Sequence, residues 1–373
     1  MKVLIAATHL DKGGIAFYTV NLARHLKLLG IYSEVLSSGG ELTGVLEKEG
    51  ITHIQLPIRT KSEFGPAMWK ALPSAVREVR KGAFDIIHAQ TRVTQVMSEA
   101  ILRSTGTPYV TTCHGFFKHR RLSRRILPCW GEKVIAISKS VKEHLVSDMK
   151  VPEKKVELVY NGIDLKEYGS MHKGMRGEVL REIGIDDSTV VVGTVGRLSP
   201  VKGFKYLIEA FDMVASKRKD MSLLFVGQGP EGETLMKQAK DSGLGDKIFF
   251  IAGKRPLGEY LSAMDIFCMP SLKEGFGLAV VEAMASGKPC IVSTAGGLKE
   301  IVTDGEDGVL VVPASARGLA EAIVRVAGDP GLMERFSKSA EKRALDFSLE
   351  KSAKGTREVY KSVLVAKPGG KLI

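Results

Sequence analysis

Apolar runs of four to seven residues recur along the first third of the chain, separated by segments with helical spacing. KVLIAATH (2–9), YSEVLSS (32–38), FDIIHAQ (84–90), PYVTTCHG (108–115) and KVIAISKS (133–140) read as strands. AFYTVNLARHLKLLG (16–30) reads as a helix closed by Gly30, and a second helix follows around Val141–Met149. Unbroken apolar runs of this length suit strands buried on both faces of a parallel sheet. KVELVYNGID (155–164) is a further strand, ending in an Asn-Gly turn.

From Lys166 to Asp187 the chain turns polar and glycine-rich, as a linker does, and then the alternation restarts. Strands are predicted at 189–198, 221–229, 247–253, 265–271, 289–297 and 307–313, with helices at 204–217, 231–243, 257–264 and 319–328 and a long helical stretch at the end. The expected architecture is α/β, with two Rossmann-like doubly wound domains, 1–165 and 166–345, followed by a C-terminal segment, 346–373. In such sheets ligands sit beyond the carboxyl ends of the strands. A cleft between two facing domains would be the natural active site.

Length supports this division, because 373 residues exceed what one core usually organises. Charge adds a second feature. The net +12 is uneven: residues 1–165 hold 24 Lys and Arg against 15 Asp and Glu, and 59–125 alone hold 13 against 4. The densest part is FFKHRRLSRRILPCW (116–130), where Lys118, Arg120, Arg121, Arg124 and Arg125 alternate with apolar residues. Such a stretch suits an anionic membrane surface or an anionic acceptor; a solvated basic helix face is the plain alternative. Nucleic acid is disfavoured, since no RNP, zinc-finger or helix-turn-helix signature accompanies the charge. No run of eighteen uncharged apolar residues occurs, and the short N-terminal apolar run reads as a buried strand, not a leader. Cys113, Cys129, Cys268 and Cys290 form no CxxC pair, which fits a reduced, cytoplasmic protein without a zinc site.

Glycine-bearing turns at strand ends carry the candidate chemistry. Gly13-Gly14 precedes a helix N-terminus, where backbone N–H groups can meet an anion, although a plain connector would look the same. In GRLSPVKGF (196–204), Arg197 and Lys202 share one loop and suit a diphosphate. In VGQGP (226–230), a simple turn accounts for Gly227 as well as ligand approach does.

SLKEGFGLAVVEAMASGKP (271–289) combines three signals. Gly275 and Gly277 free the backbone before a helix over about 278–286, so first-turn N–H groups can face an anion. Gly287 and Pro289 close that helix. Glu274 stands at its mouth and could serve the helix dipole alone. Glu282, within an oily run, would be a costly buried carboxylate without a partner such as a pair of ligand hydroxyls.

Together with VYNGID and STAGG, these motifs resemble the retaining glycosyltransferases of family 4 (glycosyl transferases group 1), which have the glycosyltransferase B fold. The resemblance runs from Gly13-Gly14 to Gly297 and includes that family's pair of glutamates eight residues apart, here Glu274 and Glu282. It implies that Arg197 and Lys202 hold the donor diphosphate and that Glu282 binds the ribose. Glu274 would bind the donor sugar, with the amides of Phe276, Gly277 and Leu278 cradling sugar and phosphate. His114 in TTCHGF would touch the donor sugar; on the sequence alone a packed core histidine is equally possible. Gly14 would lie on the diphosphate, and the nucleobase would rest near Gly253 and Lys254.

The implied reaction moves a sugar from a UDP- or GDP-linked donor to a hydroxyl of a glycan or lipid-linked acceptor, as in lipopolysaccharide or polysaccharide synthesis. No D-x-D motif occurs, so no metal and no cofactor beyond the donor substrate is expected. The implied location is cytoplasmic, peripheral at the inner face of the membrane. The tail helix, about 346–365, would cross back to the first domain. A nucleotide-sugar 2-epimerase and a non-catalytic nucleotide-sugar-binding protein are the rival readings.

Overall fold

The computed structural model describes residues 1–11, 13–60, 62–117, 124, 127–168, 174–253 and 257–366. The chain divides into two compact units. One is Met1–Asn161 together with the segment from Leu349 onward, and the other is Gly162–Ser348.

The first unit is built on a seven-stranded sheet. Its strands are β1 (Lys2–Ala6), β2 (Tyr32–Ser37), β3 (His53–Gln55), β4 (Ile86–Ala89), β5 (Tyr109–Cys113), β6 (Lys133–Ala136) and β7 (Val156–Leu158), in the order β3-β2-β1-β4-β5-β6-β7. Every pairing is parallel, with Ile5 of β1 facing Val35 on one side and His88 on the other. Successive residues of β1 feed opposite faces of the sheet. Val3 and Ile5 join the core under helix Gly14–Leu28, while Leu4 and Ala6 join the core under helices Pro66–Gly82 and Arg92–Thr105.

The sequence pattern did not disclose β3, helix Thr43–Lys48, or the helices Pro66–Gly82 and Arg92–Thr105. β3 is three residues long and only partly buried. Pro73 interrupts one helical pattern, and buried Thr94, Gln95 and Ser98 blur the other. The strand expected over 155–164 shrinks to Val156–Leu158. The helix expected around 141–149 is a short α-helix, Lys139–Glu143, that passes into a π-helical turn at His144–Asp148.

The C-terminal helix, Leu349–Val365, packs in the first unit. Ala353, Val359, Tyr360 and Val363 belong to the same core as Val3 and Ile5. Its Tyr360 hydroxyl lies 2.6 Å from His88 Nδ1, and the other ring nitrogen of His88 lies 2.7 Å from Thr112 Oγ1. Burial pushes His88 down to about 3, helped by the nearby His114, so the ring stays neutral and its two nitrogens serve as one donor and one acceptor.

The second unit repeats the plan with six parallel strands. These are β8 (Val190–Val195), β9 (Met221–Val226), β10 (Ile248–Ile251), β11 (Ile266–Met269), β12 (Cys290–Ser293) and β13 (Gly308–Val311), in the order β10-β9-β8-β11-β12-β13. β8, β9, β11 and β12 are almost wholly buried, as helices on both faces require. The four cysteines are free and buried.

Replacing Tyr360 by Phe keeps the ring packing but leaves a nitrogen of buried His88 without its partner. The expected loss is about 1–3 kcal/mol of stability in the first unit. It should appear in urea unfolding followed by a probe in that unit, with the second unit's transition unmoved.

Candidate active site

In a doubly wound sheet, the crevice opens where neighbouring strands send their connections in opposite directions. That point lies between β1 and β4 in the first unit and between β8 and β11 in the second. Gly14, His114, Arg197, Lys202, Gly227 and Glu274 follow these strands or their immediate neighbours.

In the second unit, the loop after β8 carries Arg197 and Lys202, and the loop after β11 carries Glu274. Lys202 Nζ lies 2.6 Å from Glu274 Oε2, both side chains being mostly shielded at 19% and 15% exposure. Ser271 Oγ donates to the same carboxylate oxygen at 3.1 Å. Arg197 is exposed, and among the described residues none bonds its guanidinium. Helix Leu278–Ala285 begins at Gly277, which has φ 120° and no side chain to cap the first-turn amides. Glu282 lies inside this helix at 2% exposure. Phe276 is buried edge-on against Phe347, with ring centroids 5.5 Å apart.

Backbone packing explains several of the glycines. At Gly227, φ is 147° and a Cβ would stand 2.0 Å from the Gly196 carbonyl oxygen. A Cβ at Gly229 would stand 2.2 Å from Leu198 O, and one at Gly203 2.3 Å from Pro270 O. The loops after β8, β9 and β11 therefore lie directly on one another. Gly297 closes the same layer, its N–H donating to Glu274 O at 3.1 Å. Gly253 follows β10 with φ 63°; Lys254 lies outside the described residues.

Gly14 is different. It is the exposed first residue of helix Gly14–Leu28, its φ is not positive, and a Cβ there would meet nothing within 4 Å. Neither fold nor backbone conformation demands glycine at that position.

His114 follows β5 and Gln90 follows β4, two adjacent strands. His114 Nε2 lies 2.9 Å from Gln90 Oε1, and its ring meets the edge of Tyr18 at 4.8 Å. The residue as a whole is only partly buried, yet the surrounding protein strips enough water from the ring to push its pKa down to about 3. His114 is therefore neutral at ordinary pH. Gln90, Tyr18, Thr112 and His88 escaped the sequence reading. The available signal was the pair of polar residues, His88 and Gln90, inside the apolar run FDIIHAQ.

The basic stretch needs a correction. Arg124, expected on a basic surface, is 7% exposed. Its guanidinium lies 3.8 Å from the centroid of Phe117 and 5.2 Å from that of Trp130. Stacking on aromatic faces compensates a cation for lost water and draws it inward. Lys118, Arg120, Arg121 and Arg125 lie outside the described residues.

Two all-parallel doubly wound domains with anion-suited loops at their switch points define the glycosyltransferase B fold. The chain belongs to the glycosyl transferases group 1, family 4: a group 1 model matches residues 175–343 and a Glycosyltransferase Family 4 model matches residues 12–167. It is 28% identical over 394 residues to a D-inositol 3-phosphate glycosyltransferase of Kribbella flavida, covering 94% of this chain and 91% of that one. It is also 28% identical over 316 residues to an Escherichia coli UDP-Gal:alpha-D-GlcNAc-diphosphoundecaprenol alpha-1,3-galactosyltransferase, covering 80% of each. Anabaena HepE, solved in complex with UDP-glucose, superimposes with a TM-score of 0.85 at 22% identity, over 97% of this chain and all of that one.

The two kinds of glycine should separate on substitution. Gly227→Ala should lower the thermal midpoint by several degrees, because a carbonyl oxygen occupies the space of the new Cβ. Gly14→Ala should leave the midpoint unchanged.

Proposed function

We propose that this chain is a retaining glycosyltransferase that moves a sugar from a UDP- or GDP-sugar to a hydroxyl of a lipid-linked glycan, without a metal ion. The observation that carries the reading is the shielded Lys202–Glu274 pair beside the uncapped helix Leu278–Ala285, with Glu282 buried inside it. Pairing spares each of the two charges the cost of sitting half-buried alone. A bound donor offers each a better partner: diphosphate oxygens for the ammonium, sugar hydroxyls for the carboxylate. Glu282 would take the ribose hydroxyls. The amides of Phe276, Gly277 and Leu278 would line the sugar and phosphate, and the base would rest near Gly253 and Lys254. In the first unit, Gly14 is assigned to the diphosphate and His114 to a hydroxyl of the donor sugar.

In the reaction, the bond between the anomeric carbon and the diphosphate oxygen breaks as the acceptor oxygen bonds the same face of the sugar. Negative charge grows on the departing phosphate. Arg197, Lys202 and the helix N-terminus would stabilise it, and charges held ready by the fold need little reorganisation at that moment. The acceptor's proton passes to the departing phosphate oxygen, so no protein nucleophile is required. The similarity to an enzyme named for an undecaprenol-diphosphate acceptor and the fold shared with a UDP-glucose complex support the substrate classes. A 2-epimerase would convert the donor without an acceptor; a binding protein would do neither.

A panel of UDP- and GDP-sugars screened by thermal shift should single out the donor, since a ligand bound only by the folded state raises the midpoint. With that donor, Glu274→Ala and Lys202→Ala should each reduce transfer at least 100-fold while circular dichroism is unchanged. A variant with normal turnover removes its residue from the mechanism.

We also propose that the first unit docks at an anionic membrane surface from the cytoplasmic side. No helix among the described residues is long and apolar enough to cross a membrane. Helix Pro66–Gly82 instead exposes Trp69 with Lys70, Pro73, Arg77, Arg80 and Lys81 at recurring helical spacing, beside exposed Phe64. An interfacial aromatic and a basic stripe suit lipid head groups. Neutralising Arg77, Arg80 and Lys81 together should cut co-sedimentation with phosphatidylglycerol vesicles several-fold and leave binding to neutral vesicles unchanged. Equal binding by the variant would remove this surface from the account.

A further inference from the structure

We propose that Gln90 is a positioning residue that fixes the ring tautomer of His114, holding its proton on Nε2 and leaving Nδ1 as the acceptor for a donor-sugar hydroxyl. The inference rests on the reading of His114 given above.

A neutral imidazole carries one N–H and one lone pair, and the hydrogen bond at one nitrogen decides which is which. The atom 2.9 Å from His114 Nε2 is the carbonyl oxygen of Gln90, which can only accept. The proton must then sit on Nε2. Among the described residues no protein group bonds Nδ1. The ring is also fixed in orientation. Tyr18 meets it edge-on, with ring centroids 4.8 Å apart, and Thr112 lies two residues before it on β5. Thr112 in turn bonds His88, which bonds Tyr360 of the C-terminal helix.

The cost of Gln90 supports a functional role. The side chain is 2% exposed, and its amide nitrogen has no hydrogen-bond partner. Leaving a buried donor unpaired destabilises a fold, and methionine would fill the same space without that penalty. Filling space therefore does not account for an amide here. Its oxygen, spent on His114, does.

The test uses the full-length protein labelled with 15N at histidine, free of ligand, in long-range nitrogen–proton correlation spectra. The His114 signals are assigned by their loss in His114→Gln. In the native protein Nε2 should be protonated and Nδ1 unprotonated. Gln90→Met should shift the ring to a mixture of tautomers and lower kcat/KM at least ten-fold for the nucleotide sugar chosen by the thermal-shift panel. Its melting temperature should stay equal or rise, which a merely structural residue would not do. Gln90→Glu, which restores an acceptor, should restore the Nε2 proton.

A native ring protonated on Nδ1 overturns the proposal, because the Gln90 amide would then face the ring with its nitrogen. An unchanged spectrum in Gln90→Met overturns it as well, as does full turnover with an altered tautomer. If His114→Gln keeps normal turnover, the assignment of His114 to the donor falls, and the spectra still decide what Gln90 does.

Discussion

Two loops can lie backbone against backbone only where no Cβ stands between them, and the candidate site of the second unit is built under that constraint. Gly227 rests on the carbonyl of Gly196, Gly229 on that of Leu198, Gly203 on that of Pro270, and Gly297 on Gly275. The loops after β8, β9, β11 and β12 thus form one closely packed layer at the carboxyl end of the sheet. Lys202 and Glu274 are 72 residues apart in the chain, and this layer is what brings their side chains within 2.6 Å. Most of these glycines serve the layer itself. Gly14 is of another kind, since it meets neither a steric nor a conformational demand.

The first unit relies on a different device. Its sheet buries His88 completely, and His114 sits among enough protein to stay neutral beside it. Neutral rings in such places must be bonded at defined nitrogens, and the partners come from distant parts of the chain. Thr112 of β5 and Tyr360 of the C-terminal helix, 272 residues beyond His88, serve its two nitrogens, and Gln90, after β4, serves His114. The C-terminal helix therefore supplies more than apolar cover: it holds one end of a polar chain that reaches toward His114.

Long apolar strands were legible because both faces of a parallel sheet are buried, so β1, β8 and β9 stand out in any reading of the chain. β3 was not legible, being short and half-exposed, and Pro73 hid a seventeen-residue helix. Of the site, the charged and glycine-rich loops could be read from their residues. Their division of labour could not. Gly227 reads equally as a turn or as a ligand contact until Gly196 is seen beneath it. Arg124 looks like a surface cation until Phe117 and Trp130 are found stacked with it, and nothing in a basic stretch says which arginine turns inward.

What the sequence determined by itself was the class of fold and the inventory of chemistry. Those follow from local composition: the period of apolar residues, the glycines before helices, the carboxylates within an oily run. What only the tertiary structure decided was pairing: Lys202 with Glu274, Gln90 with His114, His88 with Tyr360. The reason is physical. A hydrogen bond or ion pair depends on distances of about 3 Å between atoms on separate strands, and the order of strands in a sheet is not written in the spacing of any one of them.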